Sequence, residues 1–254
     1  MPAVISVSDL HRSYGTVEAV RGVSFTVERG QVFGLLGPNG AGKTTILETL
    51  EGLRPVHRGE VVVNEVNVAR DPYRVRRMVG VQLQQAAFFD QLTLEELLRL
   101  FGELYGTSSD PAALLDLVGL GDRARSLAKK LSGGQRQRFS IATALVNDPS
   151  VVFLDEPTSG LDPQARRRLW DIVRSLRSRG RTVVLTTHYI EEAEALCDQV
   201  GILDEGLLIA LDSPRNLVRA LLDRGFKSEA EVVPATLEEV YLDLTGREIR
   251  EDDE

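Results

Sequence analysis

"VFGLLGPNGAGKTTILETL", residues Val32 to Leu50, decides how this chain is read. Val32 to Leu36 is a short, nearly all-apolar run, as expected of a buried central strand. Gly37 then opens a loop with the spacing G-x-x-x-x-G-K-[ST], ending at Thr44, and "TTILETLEGL" follows as a helix. Strand, glycine loop and helix in this order form the context in which that spacing holds a phosphate. Gly37, Gly40 and Gly42 let the backbone wrap the anion, while the amides and the dipole at the helix start stabilise its charge. Lys43 would reach the β and γ phosphates, and the Thr44 hydroxyl would ligate Mg2+.

Upstream, "ISVSDLHRSYG" and "VRGVSFTVERG" alternate apolar and polar positions and predict strands. Downstream, "GEVVVNEVNV" predicts a strand pair turning near Asn64 and Glu65, and "MVGVQLQ" another short buried strand. From Thr93 to Ala144 the character becomes helical. Thr93 and Glu96 form a capping box, with Leu94, Leu97, Leu98, Phe101, Leu104 and Tyr105 at helical spacing. Asp110 and Pro111 start a second helix as cap and first helical residue, with Leu114, Leu115, Leu117 and Val118 as its apolar face. The α/β pattern then resumes. "VVFLDEP" is a buried strand, "QARRRLWDIVRSLRSRG" an amphipathic helix with Leu169, Ile172, Val173 and Leu176 inward, and "RTVVLTTH" the next buried strand. Strand, helix, strand implies a parallel sheet. A further helix leads to "QVGILDEGLLIALD", a hairpin turning at Asp204 to Gly206. "PATLEEVYLDLTGRE" predicts a short helix with Leu237, Val240, Tyr241 and Leu244 on one face, before an acidic tail.

A phosphate loop alone binds nucleotide; hydrolysis also needs a carboxylate in the Mg2+ shell and a base for the attacking water. Asp155 and Glu156 supply both at the end of a buried strand. His188 ends the next strand, where either a polar cap or a γ-phosphate contact fits, since ligands of α/β sheets sit at strand C-termini. Gln84 follows an apolar strand and, on its own, reads as a surface glutamine. A second glycine loop, "LSGGQ" from Leu131, has no lysine; Ser132 caps a helix whose outward N-terminus would attract an anion.

The chain has 254 residues, 43% hydrophobic and 27% charged, with a net charge of −8. That balance argues against the basic footprint of a nucleic-acid binder, so no nucleic-acid partner is expected. Cys197, the single cysteine, reads as a packed, reduced core thiol suited to the cytosol. No signal peptide is expected at "MPAVISVSDL", and no stretch reaches the roughly 18 apolar residues of a membrane span. If the protein serves a membrane, another chain must supply the membrane part.

Taken together, Tyr14, "GPNGAGKTT", Gln84 in "VQLQQ", "LSGGQ", "VVFLDEP", "SGLD" at 159 to 162, and His188 resemble the nucleotide-binding subunit of the ATP-binding cassette family, in the family's order and over nearly the whole chain. The resemblance implies an α/β fold: a P-loop NTPase core with a mostly parallel sheet, an N-terminal antiparallel β subdomain and an inserted α-helical subdomain. The ATPase domain would span 4–229, with the insert at about 85–145, and 230–254 would be the C-terminal helix and tail. It also implies that ATP and Mg2+ are bound. Tyr14 would stack on adenine, and Gly37, Pro38, Asn39, Gly40, Ala41, Gly42, Lys43, Thr44 and Thr45 would hold the phosphates. Thr44, Gln84 and Asp155 would serve the metal, Glu156 would be the general base, and His188 would contact the γ-phosphate. Ser132, Gly133, Gly134 and Gln135 would complete the ATP site of a second subunit in a head-to-tail dimer with two ATPs, and Asp162 would belong to the loop by which subunits communicate.

The tail resembles those of drug, antibiotic and polysaccharide exporters, including daunorubicin-resistance-like pumps. An integral-membrane permease, a second copy of this chain and a place on the cytoplasmic face of the cell membrane would follow. The alternative is a soluble single-cassette ATPase, for example in iron–sulfur cluster assembly. One departure is "QAAFFD" after Gln84, where many relatives carry an acidic residue and a proline; it bears on the identity of the membrane partner. None of the hydrolytic positions departs, so an active ATPase is expected.

Overall fold

Val32–Leu36 is buried along its whole length, and its side chains divide between two cores: Val32 and Leu36 face one, Phe33 and Leu35 the other. A strand covered on both faces needs no polar side, which is why its sequence reads as a continuous apolar run. The computed structural model describes residues 3–82, 87–224 and 237–245.

The strands are β1 (Ala3–Tyr14), β2 (Val17–Glu28), β3 (Val32–Leu36), β4 (Arg58–Val63), β5 (Val66–Asn67), β6 (Val79–Gln82), β7 (Val151–Asp155), β8 (Thr182–Thr187), β9 (Gln199–Asp204) and β10 (Leu207–Asp212). The helices are α1 (Lys43–Leu50), α2 (Pro72–Met78), α3 (Leu94–Tyr105), α4 (Pro111–Leu117), α5 (Gly133–Ala144), α6 (Pro163–Ser178), α7 (Ile190–Leu196), α8 (Pro214–Asp223) and α9 (Leu237–Thr245). One sheet is antiparallel in the order β2-β1-β4-β5. The other has the order β10-β9-β3-β8-β7-β6 and is parallel except for β10.

The first core joins the antiparallel sheet to α1 and to one face of the parallel sheet; Phe25 stacks on Phe33 with ring centroids 4.9 Å apart. The second covers the opposite face with α3 to α9 and includes Leu237, Val240 and Tyr241. Local signals act as read. Thr93 and Glu96 cap α3 reciprocally, Asp110 caps α4 ahead of Pro111, and Asn64 and Glu65 take positive φ in the β4–β5 turn. α6 buries Leu169, Ile172, Val173 and Leu176. Cys197 is buried at the end of α7, and burial pushes its thiol pKa up.

Leu104 departs from expectation: it is 73% exposed. It lies about 80° round the helix from Leu94, at the rim of the apolar stripe, and the chain turns away one residue after Tyr105. α2 and α8 were not anticipated, although Asp71-Pro72 and Ser213-Pro214 carry the same cap-then-proline signal as Asp110-Pro111. Among the described residues no helix is long and apolar enough to cross a membrane.

Candidate functional site

The loop between β3 and α1 is pressed against its neighbours, and only glycine fits at two points. Gly42, at φ 99°, is the N-cap of α1, and a Cβ there would lie 2.4 Å from the Ala19 carbonyl oxygen. At Gly37 a Cβ would lie 2.3 Å from the Leu203 carbonyl oxygen. Ala41 is buried beneath, Pro38 and Thr45 are half-buried, and Asn39, Gly40 and Thr44 are exposed. The loop thus presents backbone amides and the start of a helix to one side, the geometry of an anion cradle.

Lys43 is buried, and its Nζ donates to the carbonyls of Gly37 at 2.8 Å and Pro38 at 3.1 Å. Burial lowers its pKa, and the Glu156 carboxylate opposes that shift. The parallel sheet brings the ends of β3, β7 and β8 together, so residues far apart in sequence meet here. Thr44 Oγ1 stands 3.2 Å and 3.3 Å from the two carboxylate oxygens of Asp155. Asp155 also accepts from Thr186 Oγ1 at 2.5 Å. Burial raises the Asp155 pKa, and these two hydroxyls counter it.

Glu156 leaves the strand at φ 44°, a left-handed backbone that costs a residue with a side chain about 1–3 kcal/mol. Its amide donates to Thr186 Oγ1 at 2.9 Å, so one hydroxyl organises both acidic residues. The Glu156 carboxylate lies between Lys43 Nζ at 3.2 Å and His188 Nδ1 at 3.4 Å. His188, then the charge of Lys43, holds its pKa below the usual carboxylate range against the effect of burial. Thr186 was not anticipated; its only sequence signal is a hydroxyl pair, Thr186 and Thr187, closing an apolar strand.

Tyr14 is 40% exposed at the end of β1, with the Arg12 and Arg54 guanidinium carbons 5.0 Å and 5.9 Å from its ring centroid. Ser132, Gly133, Gly134 and Gln135 do not join this cluster. They form the start of α5, where Ser132 and Gln135 cap each other, and line a cavity of about 410 Å³ with Gly160, Leu161, Asp162 and Ala165 among others. Gln84 lies outside the described residues.

The ABC transporter family profile matches residues 20–159, more than half of the chain. The chain belongs to the ABC transporter family. Several ABC relatives are similar over most of their length. A Nod factor export ATP-binding protein I from Ralstonia nicotianae is 43% identical over 223 residues, 85% of this chain and 68% of that protein. A linearmycin resistance ATP-binding protein from Bacillus subtilis is 36% identical over 86% of this chain and 72% of its own length. A fluoroquinolones export ATP-binding protein from Mycobacterium tuberculosis is 46% identical over 78% of this chain and 66% of its own. A solved ATP-binding subunit of an ABC transporter superposes with a TM-score of 0.82 at 32% identity, covering 95% of this chain and 99% of that one. A dimeric ATP-binding cassette solved with ADP and Pi shares the fold, with a TM-score of 0.75 at 24% identity over 82% of this chain and 98% of that chain. The expected P-loop NTPase fold with its two added subdomains is therefore correct, and the protein is an ABC ATPase.

Proposed function

We propose that this ABC ATPase hydrolyses ATP to drive export through a separate integral-membrane permease, working on the cytoplasmic face of the cell membrane as one of two subunits. The observation that carries the reading is the convergence of Lys43, Asp155, Glu156 and His188 at the ends of three adjacent parallel strands. The curated relatives whose names refer to export or drug resistance favour an exporter over a soluble cassette.

In this reading Tyr14 stacks on adenine, the loop from Gly37 to Thr45 holds the phosphates, and Lys43 meets the terminal ones. Thr44 and Asp155 offer only hard oxygen donors, which suit Mg2+, and Gln84 would add a third. That ion supplies charge neutralisation at the transferring phosphoryl group. Glu156 accepts the proton of the attacking water, and its lowered pKa keeps it ionised and able to do so at neutral pH. His188 orients that carboxylate and reaches the γ-phosphate.

The separate position of the Ser132 loop supports a shared site. Its capped helix start is exposed, so it is available to the ATP held by another subunit, a second copy of this chain being the simplest partner. The direct test is phosphate release by the purified chain. ATP should be hydrolysed with Mg2+ and not in EDTA, and a chain that binds Mg2+ and ATP without any turnover overturns the assignment.

A further inference from the structure

Glu192, in the first turn of α7, is 0% exposed and carries an ionisable group that the chemistry above does not use. Its Oε1 accepts a hydrogen bond from Trp170 Nε1 at 3.1 Å, which ties α7 to α6. The hydroxyls of Thr187 and Thr158 also act on the carboxyl, favouring its ionised form while burial raises its pKa. These neighbours are placed on both sides of the reactive pair. Thr187 directly precedes His188, and Thr158, itself fully buried, follows Glu156 by two residues. Arg166 contributes charge to the same carboxyl and lies 4.2 Å from the Tyr189 ring centroid; Tyr189 in turn sits 4.1 Å from the His188 ring.

β7 and β8 pair only as far as Asp155 and Thr186, and the strands end at Asp155 and Thr187. Beyond them the sheet no longer sets where Glu156 and His188 stand, so side chains must. Glu192 Oε2 and Thr158 Oγ1 are buried and make no hydrogen bond among the described residues, so the bond to Trp170 is the contact that anchors the carboxyl. A buried carboxyl is costly where an apolar residue would pack as well, and a buried polar contact of this kind can specify geometry more than stability. We infer that Glu192 is a positioning residue: through its bond to Trp170 it fixes the first turn of α7, and with it the preceding His188 beside Glu156, against α6, the helix capped by Asp162. This rests on the reading of Glu156 and His188 as the reactive pair.

The test uses the full chain, with steady-state phosphate release and the emission of Trp170, the only tryptophan. Small displacements of catalytic groups cost up to about a hundredfold in rate, so Glu192→Ala should lower kcat at least about tenfold with KM for ATP changed less than about threefold. Glu192→Gln, which keeps an acceptor for Trp170, should restore most of the rate. Mg2+ and ATP should change Trp170 emission in the unmodified chain and in Glu156→Gln, and not in Glu192→Ala. A folded Glu192→Ala chain with unmodified kcat overturns the inference. If Glu192→Ala does not fold, Trp170→Phe decides: lowered kcat at unchanged KM supports the inference, and unmodified kcat overturns it. Failure of the underlying reading looks different, because Glu156→Gln would then hydrolyse ATP normally.

Discussion

Lys43 Nζ lies 3.2 Å from Glu156 Oε1, both side chains buried, so the lysine of the phosphate loop also neutralises the carboxylate at the end of β7. Replacing Glu156 by Gln keeps the shape and removes the base. Turnover should fall at least about a hundredfold, the usual scale of general-base catalysis, while ATP still binds. Phosphate release and size-exclusion chromatography with ATP and Mg2+ check this; an ATP-held dimer without turnover is the expected result.

Gly42 has neither the backbone nor the space for a side chain, with φ 99° and a would-be Cβ 2.4 Å from the Ala19 carbonyl oxygen. Gly42→Ala should therefore cost on the order of 2 kcal/mol or more and displace the loop. A thermal melt and an ATP titration measure the two effects, and a native Tm with native affinity would contradict the close packing.

Glu51, fully buried after the last turn of α1, has its pKa pushed up to about 8 by burial and by the charges of Asp155 and Glu48. A carboxyl whose folded pKa is raised favours the fold when protonated; that advantage is complete below the ordinary carboxylate range and is lost as pH rises to about 8. Glu51→Gln removes this loss. Its stability relative to the unmodified chain should rise by roughly 2 kcal/mol between pH 6 and pH 8, then level off. Denaturant melts across that range decide it, and a gap independent of pH would rule it out.

Ser132 is an exposed cap, its Oγ accepting from the Gln135 amide at 3.3 Å. Loss of such a cap costs about 1 kcal/mol, a few degrees of Tm in a chain of this size. Ser132→Arg should thus lower Tm only slightly yet abolish ATP hydrolysis, because the bulky cation would block the facing subunit's site. Mixed with Lys43→Ala chains, it should leave at most one intact composite site per dimer. Unimpaired turnover of the homogeneous variant would refute the shared site.

Most elements were legible because each carries its own local cause. Both glycine loops, the capping box at Thr93, the helix cap at Ser132, the place of the turn at Asn64 and Glu65, and the two-sided apolar strands β3, β7 and β8 all follow from nearest-neighbour chemistry. α2 carries the same cap-then-proline signal as α4, but it buries only Val75 among its arginines and so has no apolar period to mark it as a helix. Leu104 stands outside the core, for periodicity marks a stripe without marking its edge.

The sequence by itself determined the loop that wraps a phosphate, the acidic pair that follows a buried strand and the order of the strands. These depend on residue types within a few positions of each other. Only the tertiary structure decided that β3 stands between β8 and β9, that Thr186 serves both acidic residues, and that Glu192 of α7 meets Trp170 of α6. A period in the chain reports whether a side chain is buried, whereas its partner across the sheet is chosen by packing between segments that the sequence keeps far apart.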